Sequence, residues 1–262
     1  MAQAVLVDTT RCIGCRACQV ACKEWNELEP ESYREMQLAG TYQNQRDITA
    51  NTWTLVQFTE QRLDDQQRWL FTKTQCMHCT NAPCVTVCPT SALSKQGQVT
   101  YLDETRCIGE RYCVGACPFG AIQFRQGKGI VQKCTLCVDR LAQGQTPVCV
   151  KACPADALTW GDRSDQVAAA RARVASLKRA GVSGARTYGE TELGGLSFLY
   201  VLQDRPSVHG LPDPPAEQPI QMGNQAASWA AGAARRLGSI RVAAGRGRVN
   251  PYKAGRAPTF SM

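Results

Sequence analysis

Residues 7–22 read Val7-Asp8-Thr9-Thr10-Arg11-Cys12-Ile13-Gly14-Cys15-Arg16-Ala17-Cys18-Gln19-Val20-Ala21-Cys22. Residues 102–117 repeat the frame as Leu102-Asp103-Glu104-Thr105-Arg106-Cys107-Ile108-Gly109-Glu110-Arg111-Tyr112-Cys113-Val114-Gly115-Ala116-Cys117. The first copy is a complete C-x2-C-x2-C-x3-C run, a spacing with which one loop covers the corners of a cubane iron–sulfur cluster. In the second copy Glu110 stands where Cys15 stands in the first. The chain reads as a multi-cluster iron–sulfur protein in which one cluster lacks a thiolate.

The 15 cysteines fall into four groups with none left over. They are Cys12, Cys15, Cys18 and Cys22; Cys76, Cys79, Cys84 and Cys88; Cys107, Cys113 and Cys117; and Cys134, Cys137, Cys149 and Cys153. Soft thiolates suit iron–sulfur clusters, and four clusters would use sixteen ligands, with Glu110 in the last slot. A secreted disulfide scaffold is usually shorter and has no reason to place cysteines at every third position. Zinc typically takes two separated pairs per ion, a description only the fourth group fits by itself. The expected cofactors are four iron–sulfur clusters. Three are 4Fe–4S, and the fourth, at the group that carries Glu110, is 4Fe–4S or 3Fe–4S.

Glu110 admits three readings. It ligates the fourth iron as a carboxylate, it leaves that corner empty, or the site is vestigial. The intact spacing of Cys107, Cys113 and Cys117 weighs against the last and leans toward a complete cluster.

Three groups close on a second repeat: Cys88-Pro89-x2-Ala92-Leu93, Cys117-Pro118-x2-Ala121-Ile122 and Cys153-Pro154-x2-Ala157-Leu158. The proline ends the cluster turn, the alanine lets the backbone approach the cubane, and the aliphatic residue opens a short strand, as at Ile122–Phe124 and Leu158–Trp160. In two-cluster bacterial ferredoxins the fourth cysteine of each run serves the other cluster. Four groups therefore imply an α+β chain of two bacterial-ferredoxin-like units. These units form one paired four-cluster domain from residues 1–30 and 72–160. Residues 31–71 are a hairpin insertion, with strands at Thr52–Thr59 and Arg68–Thr72 around a loop holding Asp64 and Asp65. Residues 161–205 hold a helix, capped by Ser164 or Asp165, with Val167, Ala170, Val174 and Leu177 along one face and Gly181 as its stop. A strand from Gly194 to Leu202 follows it. Residues 206–262 read as an extended proline-rich arm and basic tail.

The cysteine-rich part has few large apolar residues for its length, so the clusters are expected to serve as its core and to couple metal binding to folding. Their assembly requires an environment that keeps thiols reduced, which means the cytoplasm whatever the final address. The N-terminus has no basic region followed by an apolar stretch, so export would travel on a partner's signal. The most apolar run, Leu196–Leu202, falls far short of the about 20 residues that span a bilayer. Seven of the eight net positive charges lie between Asn224 and Met262, where no acidic residue occurs. That composition describes a disordered or partner-draped arm, or one that docks on an acidic partner or membrane surface. Nothing forms a nucleic-acid-binding module.

No nucleotide-binding glycine motif follows a strand, and two histidines support no Ser/His/Asp arrangement. No catalytic residue is assigned. His78 is expected to hydrogen-bond beside a cluster, and His209 has no role.

The four-group layout resembles the electron-transfer (beta) subunits of the molybdenum or tungsten bis-pterin oxidoreductases, and among them the beta subunit of respiratory formate dehydrogenase. The resemblance covers roughly residues 5–215. It is carried by Cys12–Cys22 with Lys23-Glu24-Trp25-Asn26, by Cys76-Met77-His78-Cys79-Thr80-Asn81-Ala82-Pro83-Cys84, and by Lys133-Cys134-Thr135-Leu136-Cys137-Val138-Asp139-Arg140. Gly194-Gly195 and His209-Gly210-Leu211-Pro212 add to it. The cysteine layout alone is shared with thiosulfate, polysulfide and dimethyl sulfoxide reductases. Membrane-anchored relatives carry a C-terminal transmembrane helix where this chain has its arginine-rich tail, and the formate dehydrogenase pattern has cysteine at Glu110.

The resemblance implies a non-catalytic electron relay in a complex, cytoplasmic or membrane-associated. Its partners would be a molybdenum or tungsten bis-pterin catalytic subunit and a membrane cytochrome, a quinone-reactive subunit or another electron carrier. It also implies the ligand sets: Cys12, Cys15 and Cys18 with Cys153; Cys134, Cys137 and Cys149 with Cys22; Cys76, Cys79 and Cys84 with Cys117; and Cys107, Glu110 and Cys113 with Cys88. A relay in a sulfur-compound or other oxyanion reductase and a free polyferredoxin are the competing readings.

Overall fold

The computed structural model describes residues 2–31, 45–63 and 66–213. Asp64, Asp65 and the basic tail, on which several sequence expectations fall, lie outside the described residues.

The chain opens with β1 (Gln3–Asp8), then α1 (Ala17–Trp25), then the long pair β2 (Thr54–Leu63) and β3 (Gln66–Gln75). A run of short elements follows: α2 (Pro83–Thr86), β4 (Leu93–Gln96), β5 (Val99–Leu102), α3 (Tyr112–Ala116), β6 (Gln123–Arg125), β7 (Ile130–Gln132), α4 (Val138–Leu141) and α5 (Val148–Lys151). The described residues end with β8 (Leu158–Asp162), α6 (Arg163–Arg179), β9 (Arg186–Tyr188) and β10 (Phe198–Leu202).

A four-stranded sheet in the order β8-β1-β10-β9 carries the assembly. β1 runs parallel to β10, with Val5 opposite Phe198, and antiparallel to β8, with Val5 opposite Trp160. Both faces of β1 are covered, which is why its apolar run is continuous rather than alternating with polar residues. The period of two still sorts its side chains. Ala4 and Leu6, with Leu199 and Val201 of β10, pack on Val167, Ala170, Val174 and Leu177 of α6. Val5 and Val7, with Phe198, Tyr200 and Leu202, face the cysteines. The sheet's inner face packs with Cys18, Cys79, Cys84, Cys113 and Cys149 in one apolar cluster, while Cys22, Cys76 and Cys134 gather with Ile48, Trp53 and Leu55 in another.

α6 begins two or three residues earlier than expected, with Asp162 rather than Ser164 or Asp165 at its N-cap. Asp162 is still paired opposite Gln3 in β8, so the chain turns from strand to helix without a linker. In place of a capping side chain there, Arg163 sends its guanidinium to the carbonyls of Leu196, Gly189 and Glu190. Gly181, at φ +91, ends the helix as expected.

The last strand also starts later than expected, at Phe198. Gly194 and Gly195 have positive φ and make a turn that Arg163 crowds, so they cannot continue an extended run. Nor does the arm begin extended at Pro206. Residues Pro206–His209 form a 3-10 turn with Pro206 and His209 buried. His209 Nδ1 lies 2.8 Å from Thr72 Oγ1 on β3, and Tyr188 donates to the Pro212 carbonyl at 2.9 Å.

Candidate iron–sulfur sites

The sequence repeat is also a structural repeat. Asp8 Oδ1 accepts from the Thr10 amide at 2.9 Å and hydroxyl at 2.6 Å, and Asp103 Oδ1 accepts from Thr105 at the same two distances. Each aspartate folds its own loop toward the first cysteine of its group. Gly14 and Gly109 follow at φ +67 and +76, and Arg16 and Arg111 at φ +61 and +62. These left-handed residues wind the loop tightly enough to present several side chains to one side.

Each loop is backed by a strand pair. A Cβ on Gly14 would meet the Phe71 and Phe58 rings of β3 and β2, whereas one on Gly109 would meet the Gly129 carbonyl and the Phe124 ring beside β6–β7. Arg16 stacks on Phe58 at 4.4 Å and Arg111 on Phe124 at 3.7 Å, so the long β2–β3 pair does for the first copy what β6–β7 does for the second.

Two matching hydrogen bonds join distant groups. The Asp8 amide donates to the Ala157 carbonyl at 2.8 Å, and the Asp103 amide to the Ala92 carbonyl at 2.8 Å. These are the small residues of the Cys-Pro-x2-Ala repeats. Through them Cys153 is drawn to the Cys12 loop and Cys88 to the Cys107 loop. Trp25 of α1 donates to Asp139 at 2.8 Å while Arg140 stacks on its ring at 4.5 Å, fastening the first group to the fourth.

All fifteen cysteines are free thiols. Their mutual charges sort them. Cys12 feels Cys153 and Cys15, and Cys18 feels Cys12 and Cys153. Cys22, Cys134, Cys137 and Cys149 form a second set. Cys79 feels Cys76, Cys117 and Cys84, which make a third. Cys113 feels Cys88 and Cys107, and a cavity lined by Cys88, Cys107, Cys113 and Glu110 completes the fourth. Glu110 thus stands at the mouth of the fourth set, exposed as Cys15 is at the first.

The thiols fit an occupant that carries positive metal. Burial pushes Cys18 and Cys84 up to about 12, with neighbouring thiols adding to the rise. Burial does the same to Cys137 and Cys113, also to about 12. Burial, then the charge of Cys22, raises Cys134 far above the usual thiol range. Thiolates this desolvated need iron opposite them. Among the described residues no three His, Cys, Asp or Glu side chains gather round one metal ion. A cubane sits between ligands that each hold a different iron, so its thiolates need not meet at a point. Donors to sulfur are in place: Ala121 N–H to Cys117 Sγ and Leu136 N–H to Cys134 Sγ, both at 3.4 Å.

His78 matches its expected place beside a cluster loop. Its Nδ1 accepts from the Thr100 amide at 3.0 Å, and the buried Nε2 has no hydrogen-bond partner among the described residues. Burial, then the charges of Lys133, Lys95 and Lys73, holds it well below the usual imidazole range and therefore neutral. Those lysines are the residues that sequence reasoning missed. Lys73 and Lys133 are buried, and Lys133 Nζ donates to the carbonyls of Thr100 and Cys134. The available signal was position: Lys133 directly precedes Cys134, and Lys73 precedes Cys76 by three residues.

Comparison with known proteins finds iron–sulfur domains and subunits. Family models described as 4Fe-4S dicluster domains match residues 11–92 and 67–163. The formate dehydrogenase-O iron–sulfur subunit of Escherichia coli is 41% identical over 218 residues, covering 81% of this chain and 71% of that protein. The formate dehydrogenase subunit beta of Megalodesulfovibrio gigas is 36% identical, over 69% of this chain and 86% of its own length. The thiosulfate reductase electron transfer subunit of Salmonella typhi is 40% identical over 60% of this chain and 74% of its own. With two dicluster domains and this extent of identity, the chain belongs to the family of formate dehydrogenase iron–sulfur subunits.

Proposed function

We propose that the chain is the electron relay of a formate-oxidising complex, holding four iron–sulfur clusters between a molybdenum- or tungsten-pterin catalytic subunit and a membrane or soluble acceptor. The observation that carries this reading is the linear order of the thiol sets. Cys18 of the first set feels Cys149 of the second, Cys134 of the second feels Cys76 of the third, and Cys84 of the third feels Cys113 of the fourth. Neighbouring sets are close enough for charge to be felt between them, which is the arrangement a stepwise relay requires.

Bound clusters supply one-electron redox chemistry, and the chain's residues do the rest. Cys12, Cys15, Cys18 and Cys153 hold the first cluster, and Cys22, Cys134, Cys137 and Cys149 the second. Cys76, Cys79, Cys84 and Cys117 hold the third, and Cys88, Cys107 and Cys113 with Glu110 the fourth. The sheet, the glycine turns and the buried lysines fix spacing and compensate charge. A carboxylate ligand at Glu110 would give the fourth site a harder donor than thiolate, at one end of the row.

A relay in a thiosulfate reductase-like complex is the second reading, favoured by the 40% identity to the Salmonella typhi subunit. The match to formate dehydrogenase subunits reaches 81% of the chain against 60% for that relative, and the wider reach favours formate. Affinity isolation from the native host without oxygen decides between them. A co-purifying subunit with pterin-bound molybdenum or tungsten, and bleaching of the cluster absorbance by formate, are the expected results. A chain that isolates alone, or a complex oxidised by thiosulfate and inert to formate, contradicts the proposal.

A further inference from the structure

Lys73 is an ammonium in the interior that no carboxylate meets among the described residues. It lies on β3 opposite Val56 and is 2% exposed. Its Nζ donates to Gln75 Oε1 at 2.7 Å and stands 4.9 Å from the centre of the Phe198 ring. Gln75 is itself held by Tyr200, whose hydroxyl accepts from Gln75 Nε2 at 2.8 Å and donates to the Lys73 carbonyl at 2.8 Å. The ammonium is therefore fixed in place, and among the described residues none of the ion pairs includes it.

A buried cation without a counter-charge is strongly disfavoured. Backbone geometry places Lys73 on a strand pair tied to the helix of the first cysteine group. The Val56 amide donates to Gln19 Oε1 at 3.3 Å, and Gln19 sits on α1 between Cys18 and Cys22. Of the thiolates, Cys149, Cys18, Cys134 and Cys22 act on Lys73 most strongly. Burial alone would lower its pKa, yet those thiolate charges outweigh burial and raise it. Cys18 belongs to the first thiol set and the other three to the second.

We infer that Lys73 is the shared counter-ion of the first two clusters, a fixed positive charge that favours the extra electron on either one and eases their mutual repulsion. The inference rests on the relay reading above. It makes Lys73 a positioning residue for electron flow rather than a ligand. Lys133, bonded to the Cys134 carbonyl and felt by Cys84, lies further along the row.

The test is a potentiometric titration of the full-length, cluster-loaded chain, followed by electron paramagnetic resonance. Lys73→Met should lower two of the four midpoint potentials. Removing a unit charge within about 10 Å at an effective dielectric of about 20 changes each one-electron equilibrium by at least about tenfold, or about 59 mV. The other two midpoints stay in place, and Lys73→Arg, which keeps the charge, restores the first two. If Lys73→Met loads poorly, Lys73→Gln, neutral but still hydrogen-bonding, gives the same two-of-four shift. Unmoved potentials in the neutral variants, an equal fall of all four, or the same fall in Lys73→Arg overturn the inference. Wild-type protein without clusters would instead overturn the relay reading itself.

Discussion

Gly109→Ala isolates the backbone that presents Glu110. Gly109 has φ +76, and a Cβ there would collide with the Gly129 carbonyl oxygen and press on Phe124 at 3.2 Å. The left-handed conformation costs a non-glycine residue about 1–2 kcal/mol. Displacing a packed backbone adds about 1–3 kcal/mol. Gly97→Ala is the internal control: its φ is +57, but nothing lies within 4 Å of the added methyl, so only the conformational cost applies. Gly109→Ala should therefore cost roughly 2 kcal/mol more than Gly97→Ala in anaerobic denaturant unfolding. The loss should be local, because the Gly109 loop holds the fourth thiol set. Electron paramagnetic resonance should show one cluster signal lost or broadened in Gly109→Ala and all signals intact in Gly97→Ala. Equal destabilisation, with every cluster signal preserved, would refute the view that Gly109 is fixed by close approach to Gly129.

Two further outcomes follow from single residues. Glu110→Cys should turn the fourth site into a four-thiolate site and change one resonance signal while leaving three alone. Glu110→Ala should then release one iron if the carboxylate ligates, and leave the spectrum unchanged if the corner holds none; a spectrum indifferent to both substitutions would break the equivalence of Glu110 with Cys15. His209 is held down to about 4, chiefly by burial, with Asp204 opposing and Arg68 adding to the shift. It stays neutral in the folded chain while the unfolded chain protonates near the ordinary 6.5, so its contribution is complete above that value. It is lost as pH falls toward 4, by at most roughly 3 kcal/mol. The stability difference between wild type and His209→Gln should narrow across this window, and a difference constant with pH would show that His209 does not stay neutral.

What could be read from the chain beforehand depended on how local its physics was. The cluster loops are local: Asp8 and Asp103, the glycines and the cysteines act within a dozen residues, and the repeat exposes them. The Cys-Pro-x2-Ala turns are equally local, although their use is not. That Ala157 bonds Asp8 and Ala92 bonds Asp103 is a pairing across the fold, reached in advance only through likeness to other proteins. The parallel neighbourhood of β1 and β10 was invisible because both strands are covered on two faces and carry no alternating pattern. Pro206 suggested an arm, because proline content says nothing about a buried histidine bonding Thr72. No role was assigned to Lys73 or Lys133 since lysine almost always belongs to the surface, and only anionic neighbours brought by folding make their burial tolerable.

The central claim is that four cysteine groups hold four redox-active clusters, and metal and sulfide analysis of the anaerobically isolated chain tests it most directly. One cluster per group predicts about fifteen or sixteen irons with matching acid-labile sulfide, the lower figure applying if the Glu110 corner holds no iron. Preparations containing zinc with little sulfide, or iron sufficient for only one or two clusters after full reconstitution, would contradict it.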